Sequence, residues 1–157
     1  MQPIVGLFHG GVSVSDMDRS LAFYRDGLGL ETVVDRIAKD AYLFRILALN
    51  ATELRIVYLK IPGSDAFIEL IEFRGLERHP ASARPCDPGA GHLCLYVSDI
   101  AAIHQRLTEK GFHSRAVAPE LITAGPNKGA RGVYFSDPDG YLIELFQRPP
   151  ATGHASD

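Results

Sequence analysis

The sequence predicts an α+β protein made of two copies of one βαβββ module, on three observations. The first is an internal repeat: His9-Gly-Gly-Val-Ser-Val-Ser-Asp16 aligns with His92-Leu-Cys-Leu-Tyr-Val-Ser-Asp99 at a constant offset (92 − 9 = 99 − 16 = 83). The second is that strand-like and helix-like periodicities follow each other in the same order in both copies. The third is length: 157 residues make about one ordinary domain, so two modules of roughly 75 residues should share one structure.

The first module is expected to cover residues 1–74. Alternation after His9 predicts a half-buried strand, and Ser15-Asp16 offers an N-cap for a helix that runs to Asp26. Residues 40–50 fit both a short helix and a strand, and we expect the helix. Three further strands complete the module, over Glu31–Ile37, Glu53–Ile61 and Ala66–Phe73.

The second module is expected to cover residues 91–148. Its helix begins after Asp99, repeats apolar residues at helical spacing and ends at Gly111. Residues 75–90, which are rich in proline and glycine, are predicted to be a linker, and residues 149–157, which include His154, a disordered tail. The strands of this module are expected over Phe112–Ala118, Gly132–Ser136 and Tyr141–Gln147.

Composition excludes several classes of protein. The chain is 46% hydrophobic and 22% charged, and no apolar run approaches the roughly 20 residues that cross a bilayer. A net charge of -3 without a basic run argues against a nucleic acid partner. Cys86 and Cys94 lack the CxxC spacing and are expected to be reduced thiols, which indicates a cytoplasmic protein.

The residues that carry chemistry come in equivalent pairs. His9 and His92 begin the two copies, and each copy ends in a strand with a carboxylate among large apolar neighbours, Glu69 or Glu144. Such a carboxylate is costly to bury without a cationic partner. Two imidazoles and two carboxylates suit a divalent ion of the Mn, Fe, Co, Ni or Zn series. Glu72 lies three residues beyond Glu69 and is predicted to face the other side of the sheet, so only one of these two can be a ligand.

These features resemble the vicinal oxygen chelate superfamily, which includes glyoxalase I, methylmalonyl-CoA epimerase, extradiol dioxygenases and antibiotic-resistance proteins. The paired histidine-led starts and above all Asp137-Pro-Asp-Gly-Tyr-Leu-Ile-Glu144 carry the resemblance, which covers nearly the whole chain. It implies that each module curls into a half-open barrel and that one divalent metal ion lies in the central cleft where the two meet, often near a dimer interface. The metal ligands that it implies are His9, Glu69, His92 and Glu144.

The resemblance implies a homodimeric, metal-dependent lyase or isomerase that acts on a small oxygenated substrate. Such members bind the substrate through two adjacent oxygens, the ion acts as a Lewis acid on a developing enolate, and Glu144 or Glu69 would move the proton as general base. Two departures from glyoxalase I argue against glutathione as part of the substrate. Ser13 stands where an arginine is expected, and Phe73 stands where an asparagine is expected.

The resemblance leaves two other functions open. An extradiol-type Fe(II) dioxygenase of a catecholic substrate would use His9, His92 and Glu144 as ligands. Tyr134 matches the active-site tyrosine of the extradiol motif, although the histidine upstream in that motif is absent. A metal-free protein that sequesters a drug would use the same cleft, but such proteins usually lack the full ligand set.

A glycine-rich loop before the strand of Tyr134 is a weaker candidate for substrate binding. It carries Lys128 and Arg131, whose charges suit an anionic group, and its glycines would allow it to close over a ligand.

Overall fold

The computed structural model describes residues 3–80 and 84–150. The chain is organised as two compact units, Met1–Ser82 with Pro138–Gly140, and Ala83–Asp137 with Tyr141–Asp157. Each unit contains one sheet and at least one helix, which confirms the α+β prediction, and neither sheet closes into a barrel. None of the helices in the described residues is long and apolar enough to cross a bilayer. Residues 151–157 of the predicted tail, with His154, lie outside the described residues.

The first unit contains β1 (His9–Ser13), α1 (Met17–Tyr24), β2 (Glu31–Ala38), α2 (Ala41–Leu47), β3 (Glu53–Lys60) and β4 (Phe67–Arg74). Its strands form one sheet in the order β1-β4-β3-β2. Strand β1 runs parallel to β4, and the other two pairs are antiparallel. The predicted elements are confirmed with small shifts at their ends, including the helix expected over residues 40–50. The order places the first and last strands side by side, so residues far apart in sequence become neighbours.

Helix α1 covers one face of this sheet. Asp16 caps the helix by accepting hydrogen bonds from two backbone N–H groups of its first turn. Oε2 of Glu72 accepts a hydrogen bond from the N–H of Met17 at 3.2 Å, so this carboxylate lies on the helix side. Glu69 therefore faces the opposite side, as predicted. The apolar side chains buried by α1 and the facing strands are Met17, Leu21, Phe23, Tyr24, Val57, Leu59, Ile68 and Leu70.

The opposite face of the first sheet carries Glu69 and is partly covered by α2. Tyr58 is packed against the apolar cluster on this face, which joins the helix to strands β3 and β4. Ala48 caps the C-terminus of the helix, and its φ of 52° is left-handed. The cluster consists of Ala38, Leu54, Ile56 and Phe73 with Leu43, Phe44, Leu47, Ala51, Ile71 and Leu76 packed against it.

The second unit contains β5 (His92–Tyr96), α3 (Ile100–Glu109), β6 (His113–Ser114), β7 (Glu120–Leu121), β8 (Arg131–Ser136) and β9 (Leu142–Gln147). Its sheet has the order β5-β9-β8-β6, with β7 also paired to β8, and β5 runs parallel to β9. Helix α3 lies on the face of Phe135, whose ring contacts His104 at 5.4 Å between centroids. Helix α3 is the one helix of this unit in the described residues, and the other face of the sheet carries Tyr134 and Glu144.

The strand predicted over Phe112–Ala118 is wrong in extent. Only His113–Ser114 is a strand, and a second short strand, Glu120–Leu121, follows it and pairs with the same neighbour. The interruption has a local cause, because the Ser114 hydroxyl donates to the carbonyl of Ala116 at 2.6 Å. Such side-chain bonds compete with the ladder of the sheet.

A tight turn between β8 and β9 sets the register of the second unit. The side chain of Asp137 accepts a hydrogen bond from the N–H of Tyr141 at 2.8 Å, and its own N–H donates to the carbonyl of Tyr141 at 2.8 Å. Gly140 adopts a φ of 91°, which glycine tolerates and other residues rarely do. The acidic turn that carries much of the family resemblance therefore has a structural role, and it places Tyr134 opposite Glu144.

Candidate metal centre

The first unit brings His9 and Glu69 together. Strand β1 lies beside β4 in parallel register, and Nε2 of His9 is 3.2 Å from Oε2 of Glu69. Glu69 as a whole residue is 8% exposed, so its carboxylate requires polar partners. The hydroxyl of Tyr58, which lies directly opposite Glu69 on β3, donates to Oε1 at 2.8 Å. Each oxygen of this buried carboxylate thus meets a different polar group.

The second unit repeats the arrangement with His92 and Glu144. Nε2 of His92 is 3.1 Å from Oε2 of Glu144. The hydroxyl of Tyr134, directly opposite Glu144 on β8, donates to the same Oε2 at 2.9 Å and lies 3.3 Å from Nε2 of His92. The structure therefore places three of the predicted site residues in one cluster.

Tyr58 is a member of the site that the sequence did not reveal. It lies 11 residues before Glu69, and Tyr134 lies 10 residues before Glu144. This common spacing between a tyrosine and a strand glutamate is the signal that would have identified it. The two units therefore share a His–Glu–Tyr arrangement that extends the His–Glu repeat.

Both tyrosines are hydrogen-bond donors at neutral pH. Burial, reinforced by the hydrogen bond to Glu69 and its charge, raises the pKa of Tyr58 to about 12. Burial and the neighbouring Glu144 raise the pKa of Tyr134 to about 12 as well. Each hydroxyl therefore stays protonated at neutral pH and donates a hydrogen bond to a carboxylate.

A glycine lies beside each carboxylate, so no side chain fills that position. A Cβ added to Gly11 would lie 3.7 Å from Oε2 of Glu69, and one added to Gly132 would lie 3.9 Å from Oε1 of Glu144. Nδ1 of His9 is buried and has no hydrogen-bond partner among the described residues. The His9–Glu69 pair therefore does not satisfy all of its polar groups, and an unpaired buried nitrogen costs about 1–3 kcal/mol.

The donor atoms of each pair are spaced like neighbouring ligands of one ion. Neighbouring donors of an octahedral ion with bonds of about 2.1 Å lie ~3.0 Å apart, close to the two observed separations. Imidazole nitrogen and carboxylate oxygen suit the Mn to Zn series. Across residues 3–80 and 84–150, no group of three or more His, Cys, Asp or Glu side chains is placed to hold an ion. Each unit therefore offers two donors of the predicted four.

The structure does not place Lys128 or Arg131, the two candidate substrate-binding residues, beside these His–Glu pairs. Alternation along β8 places Arg131 on the face opposite Tyr134, and its guanidinium donates to the carbonyl of Pro119 at 3.3 Å. Lys128 lies in the exposed turn that precedes β8.

Cys94 occupies the position in the second unit that Gly11 occupies in the first. It lies opposite Glu144 in the pairing of β5 with β9. Partial burial of the thiol, together with the charge of Glu144 and a hydrogen bond to it, raises the pKa of Cys94 to about 11. Both Cys94 and Cys86 are free thiols.

A family model described as the Glyoxalase/Bleomycin resistance protein/Dioxygenase superfamily matches residues 6–145. The chain belongs to this superfamily. A superfamily relative, 2-epi-5-epi-valiolone epimerase from Actinomyces sp, is 32% identical over 149 residues, which are 92% of this chain and 80% of that protein. Lactoylglutathione lyase from Pseudomonas putida is 32% identical over 155 residues, which are 90% of this chain and 84% of that protein.

Solved structures of the superfamily share the fold. A glyoxalase family protein from Bacillus cereus superposes with a TM-score of 0.79 at 20% identity and covers 94% of this chain and 97% of that one. Leishmania major glyoxalase I superposes with a TM-score of 0.61 at 22% identity and covers 92% of this chain and 87% of that one. At these identities, the likeness establishes the α+β architecture alone.

The environment of Cys94 predicts a steep pH dependence of its alkylation. In a Cys86→Ser background treated with a chelator, the rate with iodoacetamide should rise about tenfold per unit from about pH 8 to pH 10, because the thiolate reacts. Glu144→Gln removes a charge that opposes the thiolate, so it should speed the reaction at pH 8 several-fold. Glu77→Gln, on an exposed side chain, serves as the control. A rate that levels off below about pH 9 would contradict the raised pKa.

Proposed function

We propose that this protein is a metal-dependent lyase or isomerase that removes and returns a proton beside a carbonyl of a small oxygenated substrate. The observation that carries the proposal is the duplicated arrangement in which a histidine and a tyrosine meet one strand carboxylate. Relatives named as an epimerase and as a lactoylglutathione lyase support the same class of reaction.

The substrate is proposed to be a small α-hydroxy ketone without a glutathione group. The name of the Actinomyces relative supports this class, because it describes the epimerisation of a ketone. Phe73, which stands where the resemblance to glyoxalase I calls for an asparagine, is buried in the apolar cluster beneath α2 and offers no polar group. Ser13 offers no guanidinium for an anionic peptide.

One ion of Mn, Fe, Co, Ni or Zn would be held by His9, Glu69, His92 and Glu144. When bound, it would supply Lewis acidity to two adjacent oxygens of the substrate. The two nitrogens and two carboxylates, with a glycine instead of a larger residue beside each carboxylate, fit such an ion.

Glu144 is the better candidate for the general base. His92 and Tyr134 both meet its Oε2, so neither engages Oε1, which lies on the side of Gly132 and would accept the proton, while the Cys94 thiol is a third partner of this carboxylate. Both oxygens of Glu69 are engaged, and its side chain is the less exposed of the two, 11% against 20%. Tyr134 would orient the working carboxylate during proton transfer.

The extradiol dioxygenase is the second candidate. It is favoured by the hydroxyl of Tyr134, which lies within hydrogen-bond distance of both His92 and Glu144. Such a hydroxyl suits a catecholic oxygen placed beside the same ligands.

We further infer that the protein acts as a homodimer in which each metal site takes one His–Glu pair from each subunit. The support is that the proposed donors come as two equivalent pairs, His9 with Glu69 and His92 with Glu144, each complete within its own unit.

Metal content tests the ligand set. Protein purified without a chelator should contain about one divalent ion per chain, and His92→Ala and Glu69→Ala should both lose it, since each removes one of four donors. His79 and Glu77, an exposed His–Glu pair at 3.9 Å without a tyrosine, provide the matched controls His79→Ala and Glu77→Ala.

Loss of metal in His92→Ala but not in Glu69→Ala would favour the three-ligand dioxygenase site. A wild-type protein that takes up none of the five ions would contradict the proposal and favour a sequestering protein.

Proton exchange tests the reaction. With 2-epi-5-epi-valiolone in D2O, the metal-loaded protein should incorporate deuterium beside the ketone and form an epimer, as followed by NMR. Glu144→Gln should lower the exchange rate about 10²–10⁴-fold, because it removes the proposed base, while Glu77→Gln should leave it unchanged. Oxygen uptake with a catechol and no exchange would support the dioxygenase instead.

Mixed dimers test the sharing of the site. We pair His9→Ala/Glu69→Ala in one subunit with His92→Ala/Glu144→Ala in the other, using different tags. A shared site predicts about one ion per mixed dimer, since one intact pair from each subunit remains, and none in either parent. A mixed dimer without metal would show that each wild-type chain builds its own site.

A further inference from the structure

The two tyrosines hold their carboxylates in different ways. Tyr58 donates to Oε1 of Glu69, while His9 meets Oε2, so two groups engage two oxygens. Tyr134 donates to Oε2 of Glu144, the oxygen that also meets His92. The sequence repeat makes the two glutamates equivalent, but their hydrogen bonds do not.

The ring of Tyr58 is held in place from more than one direction. Its centroid lies 5.9 Å from the rings of Phe8, His9 and Phe67. It also packs against the apolar cluster beneath α2. A hydroxyl on a ring restrained in this way directs its hydrogen bond to one point, which is how outer groups orient a metal ligand.

We propose that Tyr58 is a positioning residue that limits Glu69 to one metal-binding oxygen, an inference that rests on the metal site proposed above. Because Tyr58 holds Oε1, Oε2 on the His9 side is the oxygen left for an ion. Tyr134 places no such limit on Glu144, because it donates to Oε2, the oxygen that His92 also meets. The two tyrosines would therefore act differently, since Tyr58 occupies the second oxygen of Glu69 and Tyr134 does not occupy the second oxygen of Glu144.

The test compares Tyr58→Phe with Tyr134→Phe by Mn²⁺ titration and by water-proton relaxation of the Mn²⁺-loaded protein. Each variant loses one hydroxyl bonded to a ligand carboxylate, so each should bind Mn²⁺ roughly tenfold more weakly. Only Tyr58→Phe frees a second carboxylate oxygen, which should displace a water ligand and lower the relaxation enhancement. Tyr134→Phe should leave the enhancement per bound ion unchanged.

Tyr42→Phe, an exposed tyrosine on α2 in the same unit, is the control and should match wild type in both measurements. Thermal unfolding of each metal-free variant verifies that it is folded. Relaxation of Tyr58→Phe equal to that of wild type, or Mn²⁺ affinity within twofold of wild type, would overturn the role of Tyr58 alone. A wild-type protein that binds no Mn²⁺, Fe, Co, Ni or Zn would overturn the proposed function and this inference together.

Discussion

The burial of the Glu69 carboxylate is the constraint on which the first unit depends. A charge placed in a strand among apolar neighbours costs several kcal/mol unless polar groups surround it. Those groups come from two other strands: His9 from β1 and Tyr58 from β3. Only the order β1-β4-β3, with the last strand in the middle, brings all three side chains to one place. The strand order of the sheet therefore supplies the polar partners that the buried Glu69 carboxylate requires.

The second unit also surrounds its strand carboxylate, Glu144, with polar groups, but it arranges them differently. Glu144 is more exposed than Glu69, and its histidine and tyrosine meet on one oxygen. The turn at Asp137 fixes the register that places Tyr134 opposite Glu144. Asp137 thus serves the site indirectly, because it holds β8 and β9 in the register that pairs Tyr134 with Glu144.

Features that depend on residues close together in the sequence could be predicted, and features that depend on contacts between distant segments could not. The repeat, the helix cap at Asp16 and the facing of Glu69 away from Glu72 are local patterns, and the structure confirms them. The role of Tyr58 arises from a cross-strand register, which periodicity along one strand does not contain. The strand expected after Gly111 is shortened because the Ser114 hydroxyl bonds the backbone nearby, a competition that alternation alone cannot reveal.

Because of helix α2, substitutions near Glu69 and near Glu144 have different effects on packing. On the Glu69 face, the helix ties Tyr58 and Phe73 into an apolar cluster, so substitutions there disturb packing as well as chemistry. In the second unit, the one helix of the described residues, α3, lies on the face of Phe135 and not on the Glu144 face. A substitution beside Glu69 therefore alters a packed core, whereas a substitution beside Glu144 does not meet that cluster.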